Sequence, residues 1–267
     1  MTVDLSHPSP VPIQRGAPLM RYMDIGKFYD LLSTQEIHFA RLDLLRALDP
    51  REGRLPDVVR NDMKDLCRMS LAEVQSDPRF PSKETDARAL KDSATVLFDT
   101  MEGIAGQMYV HCWHAGADES MAMWNSYSGR GAGVAVSSTA GALCDAIEAC
   151  HRKLIGGAVK YINPGAVAAE VGNVYNLVFR KHKAFEFERE FRLVFSTTGE
   201  KEVGHEIGKV DPRKFIRLKT PTHSYITRIT PSPNIPSRER LLIKHLCDRF
   251  GLAQVFQPSA LSFDPDG

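Results

Sequence analysis

What the chain lacks narrows its class before any motif is considered. Long apolar runs are missing: stretches such as 166–169 and 97–98 fall far short of the roughly 18 uninterrupted residues that a membrane helix needs. Paired cysteines are missing too. Cys67, Cys112, Cys144, Cys150 and Cys247 are five in number, with no C-x-x-C pair, so they read as reduced and mostly buried thiols rather than a disulfide framework. Charge of one sign is absent, since 34 basic and 33 acidic residues leave a formal charge of +1. No global field therefore recruits nucleic acid or an anionic membrane, although a local patch could. The N-terminal stretch has no apolar h-region of the kind a signal peptide carries, and a cytoplasmic protein is expected. Neither G-x-x-x-x-G-K-S/T nor a strand-borne G-x-G-x-x-G occurs, so a P-loop or Rossmann phosphate cradle is unsupported. Internal repeats and low-complexity tracts are also lacking.

What remains is the composition of an ordinary globular chain, 43% hydrophobic and 25% charged over 267 residues. Pro8, Pro10, Pro12 and Pro18 mark residues 1–20 as a flexible lead-in, and 21–267 parse as one domain. Asp24 can cap a short helix whose Ile25, Phe28, Leu31 and Leu32 share a face, and 36–42 reads as a strand. A loop-like run over 43–56 precedes helical spacing over 56–74 and a longer helix capped by Ser82. From Gln107 the period becomes two, with Met108, Val110 and Cys112 on one strand face and Tyr109, His111 and Trp113 on the other. A short helix over 119–128, a strand over 133–138, a helix over 139–154, a strand over 158–162 and a helix over 167–183 follow. The clearest strand spans 187–196, with β-like pieces at 206–210 and 225–229 before a closing helix capped by Ser237. Strands and helices mix without regular βαβ alternation. The expected fold is therefore a single α+β domain with a mixed or mostly antiparallel central sheet flanked by helices.

The strongest candidate for chemistry lies in Glu186-Phe187-Glu188-Arg189-Glu190-Phe191-Arg192-Leu193-Val194-Phe195. Alternation sends Phe187, Phe191, Leu193 and Phe195 to the core and Glu186, Glu188, Glu190 and Arg192 to the other face. Neighbouring carboxylates on that face would sit about 7 Å apart, near enough to flank one substrate. The plain reading is a solvated face with cross-strand Glu/Arg pairs; if helices cover it, the acids must meet cations or line a cleft. Arg41, alone among apolar neighbours in its strand, is the natural counter-charge, either neutralising a glutamate or clamping a phosphate or carboxylate with its planar fork. Trp124 and Tyr127, three apart on a helix, share a face that could stack on a planar ring or simply join the core. His111 and His114 fall on opposite strand faces, so no metal is expected there. Cys112 and His114 share a face and could pair as nucleophile and base, against the alternative of an inert buried thiol.

Several segments occur in an order that resembles the bacterial family called domain of unknown function 2971. They are Arg21-Tyr22-Met23-Asp24 with Phe28, Phe39-Ala40-Arg41 before Asp49-Pro50-Arg51-Glu52-Gly53, and Cys112-Trp113-His114. Met123-Trp124 with Tyr127, Gly133 to Val136, Lys160-Tyr161, and Lys183 with 185–192 complete the set. Phe185 stands where that family often has tryptophan. The chain also resembles ADP-ribosyltransferases in the order Arg41, then Tyr127 with Ser126 or Ser128, then Glu188-x-Glu190, without their Ser-Thr-Ser run, for which Ser137-Ser138-Thr139 is the nearest. That likeness implies a cleft taking NAD as substrate, with Glu190, Glu188, Arg41 and Tyr127 as catalytic candidates. Arg41, Trp124, Tyr127, Ser126, Arg192 and Lys183 would then hold the dinucleotide, and Glu52 and His114 would stand nearby.

Three functions follow as expectations. The first is an NAD-using ADP-ribosyl transferase or NAD glycohydrolase, acting as a toxin or phage-defence effector on a protein or nucleic-acid acceptor. The second is a non-enzymatic ligand- or partner-binding module whose arginine and glutamates form a buried network. The third, a magnesium nuclease using Asp49, Glu52, Glu188 and Glu190, lacks the D…E-x-K pattern because residue 190 is glutamate.

Overall fold

The computed structural model describes residues 3–79, 84–129, 131–147, 152–163, 173–201, 203–204 and 209–262. In chain order these form β1 (Pro18–Asp24), α1 (Ile25–Thr34), β2 (Glu36–Arg41), α2 (Asp57–Arg68), α3 (Leu71–Ser76), α4 (Glu84–Gly103), β3 (Met108–Ala115), α5 (Met121–Tyr127) and β4 (Gly133–Thr139). Then come α6 (Ala140–Ala146), β5 (Ile155–Ala158), β6 (Lys160–Ile162), α7 (Tyr175–Val178), β7 (Arg180–His182), β8 (Glu190–Ser196), β9 (Phe215–Lys219), β10 (Arg228–Pro231) and α8 (Ser237–Arg249). The result is an α+β domain built on a mostly antiparallel eight-stranded sheet flanked by helices. No helix among the described residues is long and apolar enough to cross a membrane.

Local chemistry explains the element ends that matter for the site. Asp24 accepts a hydrogen bond from the Lys27 amide at 2.8 Å and starts α1, whose Phe28, Leu31 and Leu32 enter the core as the apolar spacing predicts. The helical run expected over 56–74 is two helices, because Ser70 and Glu73 form a reciprocal capping box that begins α3. Of the helix expected over 139–154, α6 spans Ala140–Ala146, begun by the Thr139 side chain, and 148–151 lie outside the described residues. The strand expected over 158–162 is divided between β5 and β6, and Ser82 and most of 206–210 also lie outside the described residues.

The boundary expected at residue 20 falls inside β1, which pairs with β4 along its whole length. The preceding residues run beside β5: the Asp4 amide donates to the Leu154 carbonyl and the Val11 amide to the Ala158 carbonyl, both at 2.9 Å. Glycine makes that approach feasible, since a Cβ on Gly157 would lie 2.4 Å from Pro10 Cβ.

The sheet forks at its centre. One edge of β3 is taken by β8 over its full length, from Met108 opposite Ser196 to His114 opposite Glu190. The other edge is shared by β1, which meets it at His114 and Ala115, and β2, which meets it at Val110 and Tyr109. Between those contacts, His111 to Trp113 face no strand on that side. One face of the sheet carries a core that includes Leu19, Phe39, Trp113, Phe191, Leu193 and Phe195. The other covers Leu42, Met108, Val110, Phe179 and Val194.

Candidate functional site

A cavity of about 660 Å³ opens at the fork, within the size range of small-molecule sites. Its walls come from β1 and α1, from β2, from the middle of β3, from Tyr127 at the end of α5, and from Lys181 to Glu190 with Asp49 and Glu52.

The acidic wall is built by a change of backbone direction that the alternating pattern conceals. The strand predicted from residue 187 begins only at Glu190. Residues Lys183–Glu188 form a short 3-10 helix, and Arg189 takes a left-handed φ of 42° between them. Phe187, expected in the core, is therefore 43% exposed, and Glu186 is exposed as well. Glu188 and Glu190, by contrast, both turn inward and are buried.

These two carboxylates share one lysine. Lys181 Nζ bonds Glu188 Oε2, lies 3.5 Å from Glu190 Oε2 and reaches within 3.9 Å of Glu52 Oε2. The fully buried Arg192 guanidinium spans Glu190 and the third acid, Glu52. It meets Glu190 through Nε and Nη2 at 2.9 Å each and Glu52 through Nη1 and Nη2 at 2.7 and 3.0 Å. Such fork-to-carboxylate geometry compensates the desolvation that would otherwise forbid burying three acids. Burial pushes the Glu190 carboxyl up, but Arg192 and Lys181 outweigh it and hold its pKa at about 2. Burial prevails at Glu52 and raises it despite Arg192. Burial also lowers Lys181, yet the glutamates, Glu190 foremost, keep it raised. Two cations thus serve three carboxylates, and Glu52 is the one that burial pushes toward its neutral form, in which case the charges of this wall balance.

Two tyrosines and a histidine complete it. Tyr127 donates from its hydroxyl to Glu188 Oε1 at 2.7 Å, and burial, then the Glu188 charge, raises that phenol. Tyr161 accepts from the Glu190 amide at 2.8 Å. His114 Nδ1 donates to the Glu188 carbonyl at 2.7 Å, and burial lowers the imidazole so that it is neutral at pH 7. Cys112 lines the cavity, but burial, reinforced by Glu190, raises its thiol well above the ordinary range, so it stays protonated and is no nucleophile.

The structure thus brings Tyr127, Glu188, Glu190, Glu52 and His114 to one cavity, with Arg192 bound behind the acids. It does not bring Arg41. That side chain lies on the Phe39 face of β2, paired with Asp43 at 2.7 and 3.0 Å and bonded to the Asp211 carbonyl. Ile37, His38 and Ala40 of the same strand line the cavity, whereas Arg41 and its partners Asp43 and Asp211 do not. Arg41 therefore cannot clamp a ligand held against Glu190. Trp124 is also a correction: only 1% exposed, it packs edge-on against Tyr22 at 4.8 Å, and its Nε1 donates to Glu119. Ser126 is exposed and donates to the Ala122 carbonyl within its own helix, and Lys183 is exposed on the 3-10 turn.

Three residues of the site were not among the candidates read from sequence. Lys181 sits on β7, which the helical reading of 167–183 hid; Tyr161 sits on β6, within the strand expected over 158–162, but was given no role. Arg21 sits on β1, just past the boundary drawn at residue 20; its signal is the alternation through Leu19, Arg21 and Met23. Among the described residues no group of three or more His, Cys, Asp or Glu is arranged to hold a metal ion, and Glu52 and Glu190, assigned to magnesium in the nuclease reading, are engaged by Arg192. No protein-family model matches the chain, and no curated protein matches it.

Proposed function

We propose that the protein binds a nucleotide-class molecule in this cavity and that the acidic wall stabilises positive charge on it, as scission of the nicotinamide–ribose bond of NAD requires. The observation that carries the reading is the convergence of two cavity-lining carboxylates, Glu188 and Glu190, with the aromatic rings of Tyr127 and Phe185 in one cavity. The ordered segments that resemble the domain of unknown function 2971 family contribute Glu52, His114, Tyr127, Glu188 and Glu190 to this wall.

In that reaction the bond from nicotinamide N1 to ribose C1′ breaks, and its electron pair leaves on the nitrogen, neutralising the pyridinium. A new bond joins C1′ to an oxygen of water or of an acceptor, whose proton passes to a carboxylate. Glu190, held ionised by Arg192 and Lys181, supplies a fixed negative charge beside the developing oxocarbenium ion. Glu188, oriented by the Tyr127 hydroxyl and Lys181, is placed to accept that proton or to orient a ribose hydroxyl. His114 fixes the Glu188 main chain through its carbonyl.

The binding-module reading has its own support, because Glu52, Glu188 and Glu190 each have a cationic partner within the protein. Titration calorimetry with NAD separates the two from a third outcome. Saturable binding that weakens in Glu188→Gln supports a site at this wall, and turnover then decides between enzyme and module. No binding of NAD, ADP-ribose or nicotinamide at millimolar concentration would remove the nucleotide reading.

A further inference from the structure

The cavity carries a second end, away from the acidic wall. Of the cations lining it, Lys27 pairs with Asp24 at 2.9 Å, Arg217 with Asp30 and Glu36 at 3.6 and 3.7 Å, and Lys181 with the glutamates. Arg21 differs. It enters the gap where β1 and β2 part from β3, and among the described residues no carboxylate lies within ion-pair distance of it. Its Nη1 lies 2.5 and 2.7 Å from Nδ1 and Nε2 of His111 and donates to the Cys112 carbonyl at 3.2 Å, closing the backbone edge that no strand covers. His111 Nδ1 also lies 2.8 Å from the His38 carbonyl, to which the neutral ring donates, so the guanidinium sits against the edge of an uncharged imidazole. Nε and Nη2 of Arg21 have no acceptor among the described residues.

The wall beside it is short of acceptors as well. Trp113 Nε1 and the Tyr225 hydroxyl are buried and make no hydrogen bond, and both residues line the cavity. The rings connect in sequence, His111 to Trp113 and Trp113 to Tyr225, each at 6.1 Å between centroids. A buried donor left unpaired destabilises the fold, and a ligand that accepts from it recovers that cost.

We propose that Arg21, with the Tyr225 hydroxyl beside it, forms an oxyanion subsite that receives a phosphoryl group of the molecule bound in the cavity. The subsite supplies what Arg41 was expected to provide, from a strand position that lines the cavity. It rests on the cavity being a ligand site, but not on cleavage: a phosphoryl group would be held there whether or not a glycosidic bond is broken. A planar fork suits phosphate oxygens, and neutral His111 orients that fork without competing for the anion.

The test uses inorganic phosphate followed by phosphorus NMR or calorimetry in low-salt buffer, with acetate as the competing oxyanion. Wild-type protein is expected to bind phosphate saturably, more tightly than acetate. Arg21→Lys should lose at least tenfold in affinity, because an ammonium keeps the charge but not the fork. Tyr225→Phe removes a hydroxyl that has no partner in the free protein, so it should fold with undiminished stability yet bind phosphate several-fold more weakly. Glu188→Gln, at the other end of the cavity, should bind phosphate as well as wild type. No phosphate binding to wild type, equal affinity in Arg21→Lys and wild type, or acetate competing as well as phosphate would each overturn the subsite. NAD cleavage retained in the absence of phosphate binding would sink this proposal alone, and phosphate binding without NAD cleavage would sink only the catalytic reading.

Discussion

Arg192 and Glu52, 140 positions apart, meet through two hydrogen bonds of 2.7 and 3.0 Å, and the same guanidinium holds Glu190 on its other side. One cation therefore ties the loop after β2 to β8 and fixes the floor of the cavity. Removing it strands two carboxylates in a buried setting. Arg192→Met should cost about 3–5 kcal/mol in urea-induced unfolding, the usual range for breaking a buried ion pair from one side. Arg192→Lys should recover only part of that, because an ammonium cannot present a fork to two acids. Equal stability of Arg192→Met and wild type would contradict the network's role.

Arg41 gives a different expectation. Its partners are Asp43 and the main chain near Asp211, none of which lines the cavity. Arg41→Met should lower stability by about 1.5–3 kcal/mol, the range for hydrogen bonds to a charged group. Ligand affinity and turnover, measured on the folded fraction, should not change. A selective loss of NAD binding in this variant would restore Arg41 to the site.

The histidines set an acid limit. Burial, joined at His111 by the Arg21 charge, lowers His111 well below 6.5, and burial lowers His114. Unfolded, both titrate near 6.5, so below that pH the unfolded chain binds more protons than the folded one and stability falls as pH drops. The melting temperature should therefore decline from pH 7 to pH 5.5, and His111→Gln should flatten that decline. A profile level over this interval would contradict the neutral, buried state of both rings.

Tyr127 links α5 to the acidic wall through the 2.7 Å bond to Glu188. Tyr127→Phe should cost about 1.5–3 kcal/mol of stability, since the acceptor is charged. If Glu188 acts on the ligand, the same change should also reduce turnover about tenfold while leaving NAD affinity within a few-fold, which separate KM and kcat measurements would show.

The elements with regular periodicity were legible in sequence. Alternation in β3 and β4 and the capped helical spacing of α1 were each recovered to within a residue or two, because one buried face dictates each pattern. The acid cluster was legible as residues but not as geometry. Its convergence depends on the left-handed turn at Arg189, where a non-glycine residue gives no local warning. Lys181 was obscured because β7 is only three residues long, too short for periodicity to register against the helical reading of 167–183, whereas the strand carrying Tyr161 was expected but its hydroxyl was given no role. Arg41 misled because an arginine in an apolar strand advertises a buried charge without saying which buried compartment receives it. The boundary drawn at residue 20 from the four early prolines cut β1 in two and hid the alternation that carries Arg21, although proline at the first position of a strand is compatible with pairing.

Release of nicotinamide from NAD by the purified protein, compared with Glu188→Gln and Glu190→Gln variants whose folding is verified by circular dichroism, tests the central claim most directly. The account predicts turnover by the wild type and a loss of at least a hundredfold in each variant, with NAD still bound by one or both. Turnover undiminished in both variants, or a wild type that neither binds nor cleaves NAD, would contradict it.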